Sequence, residues 1–427
     1  MKWDAIRQRW AERSAREKRF LRALFAALVL YTVYQYIEGT FVFNAGTFEQ
    51  DFTAYYAAAM ALNQGQPIYN SGPWPLSRDN PLIGVPVIDG KNPRPHQYYL
   101  YPPFLAWSLR PLSRLPFWTA EWIWNILMAA AYWLGAVMFL RCAARSLLSR
   151  SETAAALILA AFWAPMFLAF RVGQITIMVM AALALHYVWA INKRDGLSGL
   201  ALGVAAALKV TPLFFLPLWF FWRRWKIVVS ALITLIIILL ITGWRQNLQF
   251  VTGIMPQISL GENHPINHTL MGVYLGQVLK NWGWLNADDY RSIAVAHTLM
   301  RLLLMAGWIA TWWGAWRPHD ERTVSLGFAC ALAASIIWTP VARLHDYIYL
   351  YPALILLYID LKKANSWLGW AILVFSIAAL TRNLSPWLEM LSFDAISREI
   401  LIRPHLMAAG GIWGFTLYRR LRLLYGR

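Results

Sequence analysis

Long apolar runs recur through this sequence, and short basic turns separate many of them. They fall at 20–38, 117–140, 154–171, 174–191, 197–209, 211–222, 226–243, 292–316, 323–340, 346–361, 366–381 and 400–418. Inside a bilayer such a run must satisfy its own backbone polar groups, and a helix of about 20 residues both does so and crosses the hydrocarbon. The pattern predicts an all-α integral membrane protein with about twelve transmembrane helices. The runs within 197–222 fall short of that length, which predicts helices that are tilted, broken or only partly crossing. Composition agrees: 59% of the 427 residues are hydrophobic and 14% charged, against about 25% charged in ordinary soluble domains.

A net charge of +18 would suit a nucleic-acid partner if the cations formed one patch. They instead flank the apolar runs, where Lys and Arg mark the cytoplasmic side. Lys2, Arg7, Arg9, Arg13, Arg16, Lys18, Arg19 and Arg22 precede the first run with no small-residue cleavage site after it. That segment reads as an uncleaved anchor with a cytoplasmic N-terminus. Alternate threading puts Arg141, Arg145, Arg150, Lys193, Arg194, Arg223, Arg224, Lys226, Lys362, Lys363, Arg419, Arg420 and Arg422 on the same side. The expectation is a basic cytoplasmic tail over 1–22 and one multi-pass domain over 23–427 in the plasma or inner membrane, with both termini cytoplasmic. Three larger segments, 39–116, 244–291 and 382–399, then form external loops and interfacial helices, joined on that face by turns near 172, 210 and 342. Cys142 and Cys330 are too few and too far apart for a disulfide framework or a zinc site and read as core residues.

The external segments carry the informative polar residues. Glu49 and Asp51 follow the first run closely, and Phe52, Tyr55, Tyr56 and Ala59 recur at the period of an amphipathic helix lying along the interface. The plain alternative makes Asp51 a helix N-cap, contributing roughly 1 kcal/mol, and Glu49 a solvated charge. Tyr98-Tyr99-Leu100-Tyr101-Pro102-Pro103-Phe104 places aromatic rings beside prolines that stop a helix, a pattern that interfacial aromatic belts also produce. Ser149-Arg150-Ser151-Glu152, on the cytoplasmic side, fits a capping box.

Four turns bring further polar groups to the outer ends of runs: Arg171-Val172-Gly173-Gln174, Lys209-Val210-Thr211-Pro212, Asn263 to Gly272 with His264 and His268, and Trp338 to Tyr347 with Arg343, His345 and Asp346. Singly, a cation there can snorkel to headgroups and a histidine can be a structural hydrogen-bonding group. Together with Asp51 on one face they favour an anionic ligand.

No nucleotide-binding glycine motif is present, which turns attention to a donor that is itself a membrane lipid phosphate. An Asp can deprotonate an acceptor hydroxyl, and Arg or Lys can stabilise a departing phosphate, neither step requiring a metal. No cofactor is expected, although Asp51 with Glu49 leaves divalent-metal binding open, since hard cations prefer oxygen ligands.

Asp51-Phe52-Thr53-Ala54-Tyr55-Tyr56-Ala57-Ala58-Ala59 with Gly65-Gln66-Pro67-Ile68-Tyr69, Tyr101-Pro102-Pro103, Gly173-Gln174, Lys209-Val210-Thr211-Pro212, Asn267-His268-Thr269-Leu270-Met271-Gly272, and Thr339-Pro340 with His345 resemble the membrane glycosyltransferases of family 87. These motifs occur in order across 20–360. The resemblance implies a GT-C fold, a polyprenyl-phosphate sugar donor with mannose as the expected sugar, Asp51 as the catalytic Asp and His345 as an active-site histidine. The candidate substrate-binding residues are Glu49, Tyr55, Tyr56, Tyr101, Arg171, Gln174, Lys209, Asn267, His268, Arg343 and Asp346.

The chain departs from the family pattern in three places. Asn267-His268-Thr269 stands where the family commonly has Asn-Gln-Ser, and Arg343-Leu344-His345-Asp346 where it often has a Trp-acidic-His-His run. The first external segment, with Arg78, Asp79, Asp89, Lys91, Arg94 and His96, is also long and suited to cover an acceptor site.

The expected function is an inverting transfer to a glycolipid, glycan or protein hydroxyl at the external face, by a monomer among membrane lipids and without nucleic acid. The alternative class is a lipid-linked sugar transporter or flippase. Such a protein carries polar groups through the bilayer midplane and shows repeated halves, and no internal repeat is visible here.

Overall fold

Proline and glycine punctuate the apolar runs and decide where each helix starts and stops. In the computed structural model the described residues are 50–69, 99–143, 147–259, 269–270, 290–316, 320–364, 366–381 and 404–426, with 30, 34 and 37 besides. Among them the regular structure is helical, with one isolated bridge pairing Trp163 and Thr381. The α-helices are α1 Gln50–Asn63, α2 Pro103–Ser108, α3 Phe117–Ala143, α4 Arg150–Ala161, α5 Ala164–Val172, α6 Thr176–Ile191, α7 Asp195–Leu208 and α8 Leu216–Phe221. They continue as α9 Trp225–Thr242, α10 Trp244–Gln249, α11 Met255–Ser259, α12 Tyr290–Trp312, α13 Glu321–Ile337, α14 Leu350–Ala364, α15 Trp367–Leu380 and α16 Pro404–Tyr425.

Most apolar runs become helices close to their expected bounds. Two of these helices, over Phe117–Cys142 and Trp225–Thr242, are long and apolar enough to cross a membrane unaided. Others are shorter because the sequence interrupts them. The run at 154–171 divides into α4 and α5, with a proline in the first turn of α5. The run at 211–222 begins as the 3-10 helix Thr211–Phe215 before α8, each carrying a proline near its start where the missing N–H is tolerated. The run at 20–38 falls largely outside the described residues and 70–98, 271–289 and 382–403 wholly so, which takes parts of the first two expected external segments and all of the third.

Small residues set the closest helix contacts. A Cβ added at Gly199 of α7 would lie 2.4 Å from the Ile227 carbonyl oxygen of α9, and one at Gly203 2.7 Å from Thr234 Cβ. Glycines four apart thus let these backbones meet directly, where packing rather than hydrophobic transfer holds helices together in lipid. Gly135 does the same between α3 and α6, against Ala181 Cα at 2.9 Å from a built Cβ.

Short turns between antiparallel helices sort the polar groups to two ends. At one end, Asp195 pairs with Arg224, the buried Asp360 accepts from Arg322 at 2.5 Å and Arg419 at 2.9 Å, and Glu152 meets Lys362 and Tyr358. The expected capping box is present there: Glu152 N donates to Ser149 Oγ at 3.2 Å and Ser149 N to Glu152 Oε2 at 2.6 Å. At the other end lie the α5–α6 turn, the end of α7, the start of α1 and the 3-10 helix Leu344–Tyr349. Most of the candidate residues that are described gather on this second end.

Candidate active site

Helix α1 is held by its aromatic side. Phe52 stacks on Trp124 of α3 with centroids 5.6 Å apart, and Tyr55 meets Tyr101 edge to face at 4.9 Å. The expected stripe Phe52, Tyr55, Tyr56 and Ala59 is buried, but so are Thr53, Ala54, Ala58 and Ala61. The helix is therefore sunk among its neighbours rather than half exposed along an interface, because alanines on its other faces admit close packing. Asp51 sits inside the first turn, after the already helical Gln50, and its Oδ2 accepts from Gln174 Nε2 at 2.9 Å. Its carboxylate thus reaches across to another helix pair, and the residue remains half-buried.

Gly173 determines where Gln174 points. Helix α5 ends with Gly173 at φ +68°, its N–H bonded to the Phe170 carbonyl at 3.0 Å, while Gln174 N–H returns to Ala169 at 2.8 Å. This is a Schellman closure, which needs a left-handed residue that glycine adopts without steric cost. Trp124 Nε1 donates to the Gly173 carbonyl at 2.9 Å, so the residue that supports Phe52 also pins this turn. The Gly-Gln pair reads structurally as a helix stop followed at once by an aimed amide.

Gln174 joins four side chains. Its Oε1 accepts from Tyr55 Oη at 2.7 Å and Tyr101 Oη at 3.0 Å, and its Nε2 contacts Asp51 Oδ2 at 2.9 Å and His345 Nε2 at 3.0 Å. Beside this cluster, Asp346 pairs with Lys209 Nζ, accepts from Thr176 Oγ1 at 3.0 Å and from Arg343 N at 3.1 Å, and lies 3.8 Å from His345 Nε2. Lys209 Nζ also donates to Thr176 Oγ1 at 3.3 Å.

Burial raises the Asp51 carboxyl to about 6, with the Arg343 and Lys209 charges opposing the rise and Asp346 adding to it. Burial pushes His345 down to about 4; Asp346 pulls it upward, and Lys209 and Arg343 press it further down. At neutral pH the pair is thus a carboxylate beside a neutral imidazole. A carboxylate with a value near 6 is both ionised at neutral pH and basic enough to take a proton from a hydroxyl as that hydroxyl attacks.

The structure brings Asp51, Tyr55, Tyr101, Gln174, Lys209, Arg343, His345 and Asp346 into one neighbourhood. Tyr56 turns elsewhere, donating to the Leu115 carbonyl at 2.7 Å. Arg171 is exposed on the last turn of α5 and takes no part in the hydrogen bonds around Gln174 among the described residues. Glu49, Asn267 and His268 lie outside the described residues. Thr176 was not foreseen; its signal was its place two residues beyond the Gly-Gln turn, at the start of an apolar helix. Among the described residues no group of three or more His, Cys, Asp or Glu side chains is arranged to hold a metal ion.

Comparison with known proteins bears on this geometry. The model of glycosyltransferase family 87 matches residues 99–340, a span that contains Tyr101, Gln174 and Lys209 and stops short of Arg343. A polyprenol-phosphate-mannose-dependent alpha-(1-2)-phosphatidylinositol pentamannoside mannosyltransferase of Mycobacterium tuberculosis is 29% identical over 361 residues, covering 81% of this chain and 77% of that protein. An enzyme of the same description from Mycolicibacterium smegmatis is 26% identical over 328 residues, covering 74% of this chain and 73% of that one.

Proposed function

The chain belongs to glycosyltransferase family 87, and from that membership we propose that it transfers mannose from a polyprenol-phosphate mannose to a glycolipid hydroxyl at the external face of the membrane, with inversion. The donor and acceptor classes follow those of the two mycobacterial relatives, polyprenol-phosphate-mannose-dependent mannosyltransferases of phosphatidylinositol pentamannoside. The observation that carries the mechanism is the half-buried Asp51 carboxylate, tied at Oδ2 by Gln174 and raised to about 6.

In this reading Asp51 takes the proton of the acceptor hydroxyl as that oxygen attacks the anomeric carbon. The bond from that carbon to the phosphate oxygen breaks on the opposite side, and the electron pair leaves with the polyprenyl phosphate. Arg343 and Lys209 stabilise the charge that develops on the phosphate, a role that cations in a partly dried site perform better than in water. The topology that goes with it has about twelve spans, with both termini cytoplasmic. Support comes from the opposite ionic end, where Arg224, Arg322, Lys362 and Arg419 gather as the positive-inside rule requires.

Purified protein in liposomes should convert a synthetic polyprenyl-phosphate mannose and a glycolipid acceptor to an elongated product. Asp51→Asn should remain folded, because the amide oxygen still accepts from Gln174, yet lose roughly 10²- to 10⁴-fold in turnover, about 3 to 5 kcal/mol. Near-parental turnover in Asp51→Asn would move the base elsewhere. Movement of the lipid-linked sugar across the bilayer without any elongated product would instead favour a transporter.

A further inference from the structure

The amide of Gln174 has two N–H donors and two acceptor lone pairs, and the protein uses all four. An ionised Asp51 has no proton to give, so the group facing its Oδ2 must be the amide nitrogen. That orientation turns Oε1 toward Tyr55 and Tyr101, whose hydroxyls donate to it at 2.7 and 3.0 Å. The second N–H of the same nitrogen then meets His345 Nε2 at 3.0 Å, and the contact is a hydrogen bond only if that ring nitrogen carries the lone pair. The neutral ring must accordingly hold its proton on Nδ1. No valence remains on Gln174 for a substrate hydroxyl, which departs from the substrate-binding role expected from sequence.

We propose that Gln174 is a positioning residue of the transfer reaction: its amide anchors Asp51 through Oδ2, leaving Oδ1 to take the acceptor proton, and holds His345 as the Nδ1–H tautomer with its Nε2 lone pair occupied. Asp51 and His345 therefore have different tasks, because a lone pair already accepting from an amide is withheld from an incoming hydroxyl. The inference rests on the reading of Asp51 as the base. Tyr55 and Tyr101 act one step further out, fixing which way round the amide sits. The groups that face Asp51 are His345 across Gln174, Tyr55 and Tyr101 behind it, and the charges of Arg343, Lys209 and Asp346.

A hydrogen bond donated to a carboxylate favours its charged form, so removing the Gln174 donor should make Asp51 harder to ionise. Gln174→Met keeps the length and removes every donor and acceptor. Its kcat should fall roughly 10- to 100-fold as Asp51 loses its anchor, while KM for donor and acceptor stays within about threefold, since ground-state binding is untouched. The acid limb of the pH profile should move upward by about 1 to 2 units, the worth of one charge-assisted hydrogen bond. A loss of kcat with the limb at its parental pH would make Gln174 merely structural, and a raised KM at parental kcat would make it a substrate ligand; either result overturns the proposal.

Nitrogen-15 spectra of histidine-labelled parent protein supply a measurement that does not depend on the variant folding. The signal lost in His345→Asn identifies His345, and it should show protonated Nδ1 and bare Nε2 at neutral pH. A proton on Nε2 refutes the arrangement. If Asp51→Asn retains the parental acid limb, the reading of Asp51 as base fails, and the tautomer still reports separately on Gln174.

Discussion

Removing the Lys209 ammonium should expose how much of this site depends on one ion pair. The Asp346 side chain is 8% exposed and that of Lys209 19%, so the carboxylate cannot easily regain water when its partner is lost. Breaking a buried pair from one side typically costs 3 to 5 kcal/mol. Here Asp346 keeps the Thr176 hydroxyl and the Arg343 backbone N–H, which places Lys209→Met near the lower end, about 3 kcal/mol. Asp346→Asn preserves shape, and the partly exposed Lys209 can reach solvent, so about 1 to 2 kcal/mol is expected. The double variant should resemble Asp346→Asn alone, giving a coupling equal to the Lys209→Met effect, about 3 kcal/mol. Denaturant titration of the detergent-solubilised protein, followed through its 25 Trp residues, would measure all four corners. Single effects that add to within about 0.5 kcal/mol would refute the pairing argument. Because Lys209 is also placed to stabilise the donor phosphate, Lys209→Met should lose turnover as well as stability; parental stability with a much raised donor KM would show a lysine that serves the phosphate without stabilising Asp346.

Three further outcomes are expected. Because burial raises Asp51 to about 6 and the reaction needs the carboxylate, kcat/KM should fall as pH drops through about 6, approaching tenfold per unit below it; His345, held near 4, stays neutral across that range, and a flat profile from pH 5 to 8 would contradict the assignment. Gly173→Ala forces a side chain onto a backbone at φ +68°; it should destabilise by about 1 to 2 kcal/mol and lower kcat by displacing Gln174, whereas unchanged kcat at reduced stability would separate the turn from the chemistry. In a background lacking Cys142 and Cys330, cysteine at Ser71 should react with an impermeant thiol reagent from outside and cysteine at Ser149 should not; the reverse labelling would invert the proposed topology.

Among individual residues, legibility followed how local the cause was. The capping box at Ser149 and Glu152 could be read because both partners lie within one helical turn, and the turns near Pro212 and Gly173 because backbone restrictions belong to single residues, whereas the break before Pro165 was missed inside a run whose hydropathy is continuous. Asp51 was legible as a candidate from its place and its family-like motif, but its carboxylate could equally have capped its own helix. Tyr56, one residue from Tyr55 and of the same type, bonds the Leu115 carbonyl instead of joining the site, a difference no spacing rule could supply.

The sequence by itself determined the helical class and most helix limits, since periodicity, hydropathy and backbone stereochemistry act over a few residues. Tertiary structure decided which polar groups meet. Gln174 contacts Asp51 across 123 residues of chain and His345 across 171, and Lys209 finds Asp346 across 137. Such partners come together only when glycine-mediated helix packing and the Gly173 turn bring separate helix ends to one place. Desolvation there changes the acidity of Asp51 and His345, and that environment is a property of the assembled site rather than of either residue's neighbours in sequence.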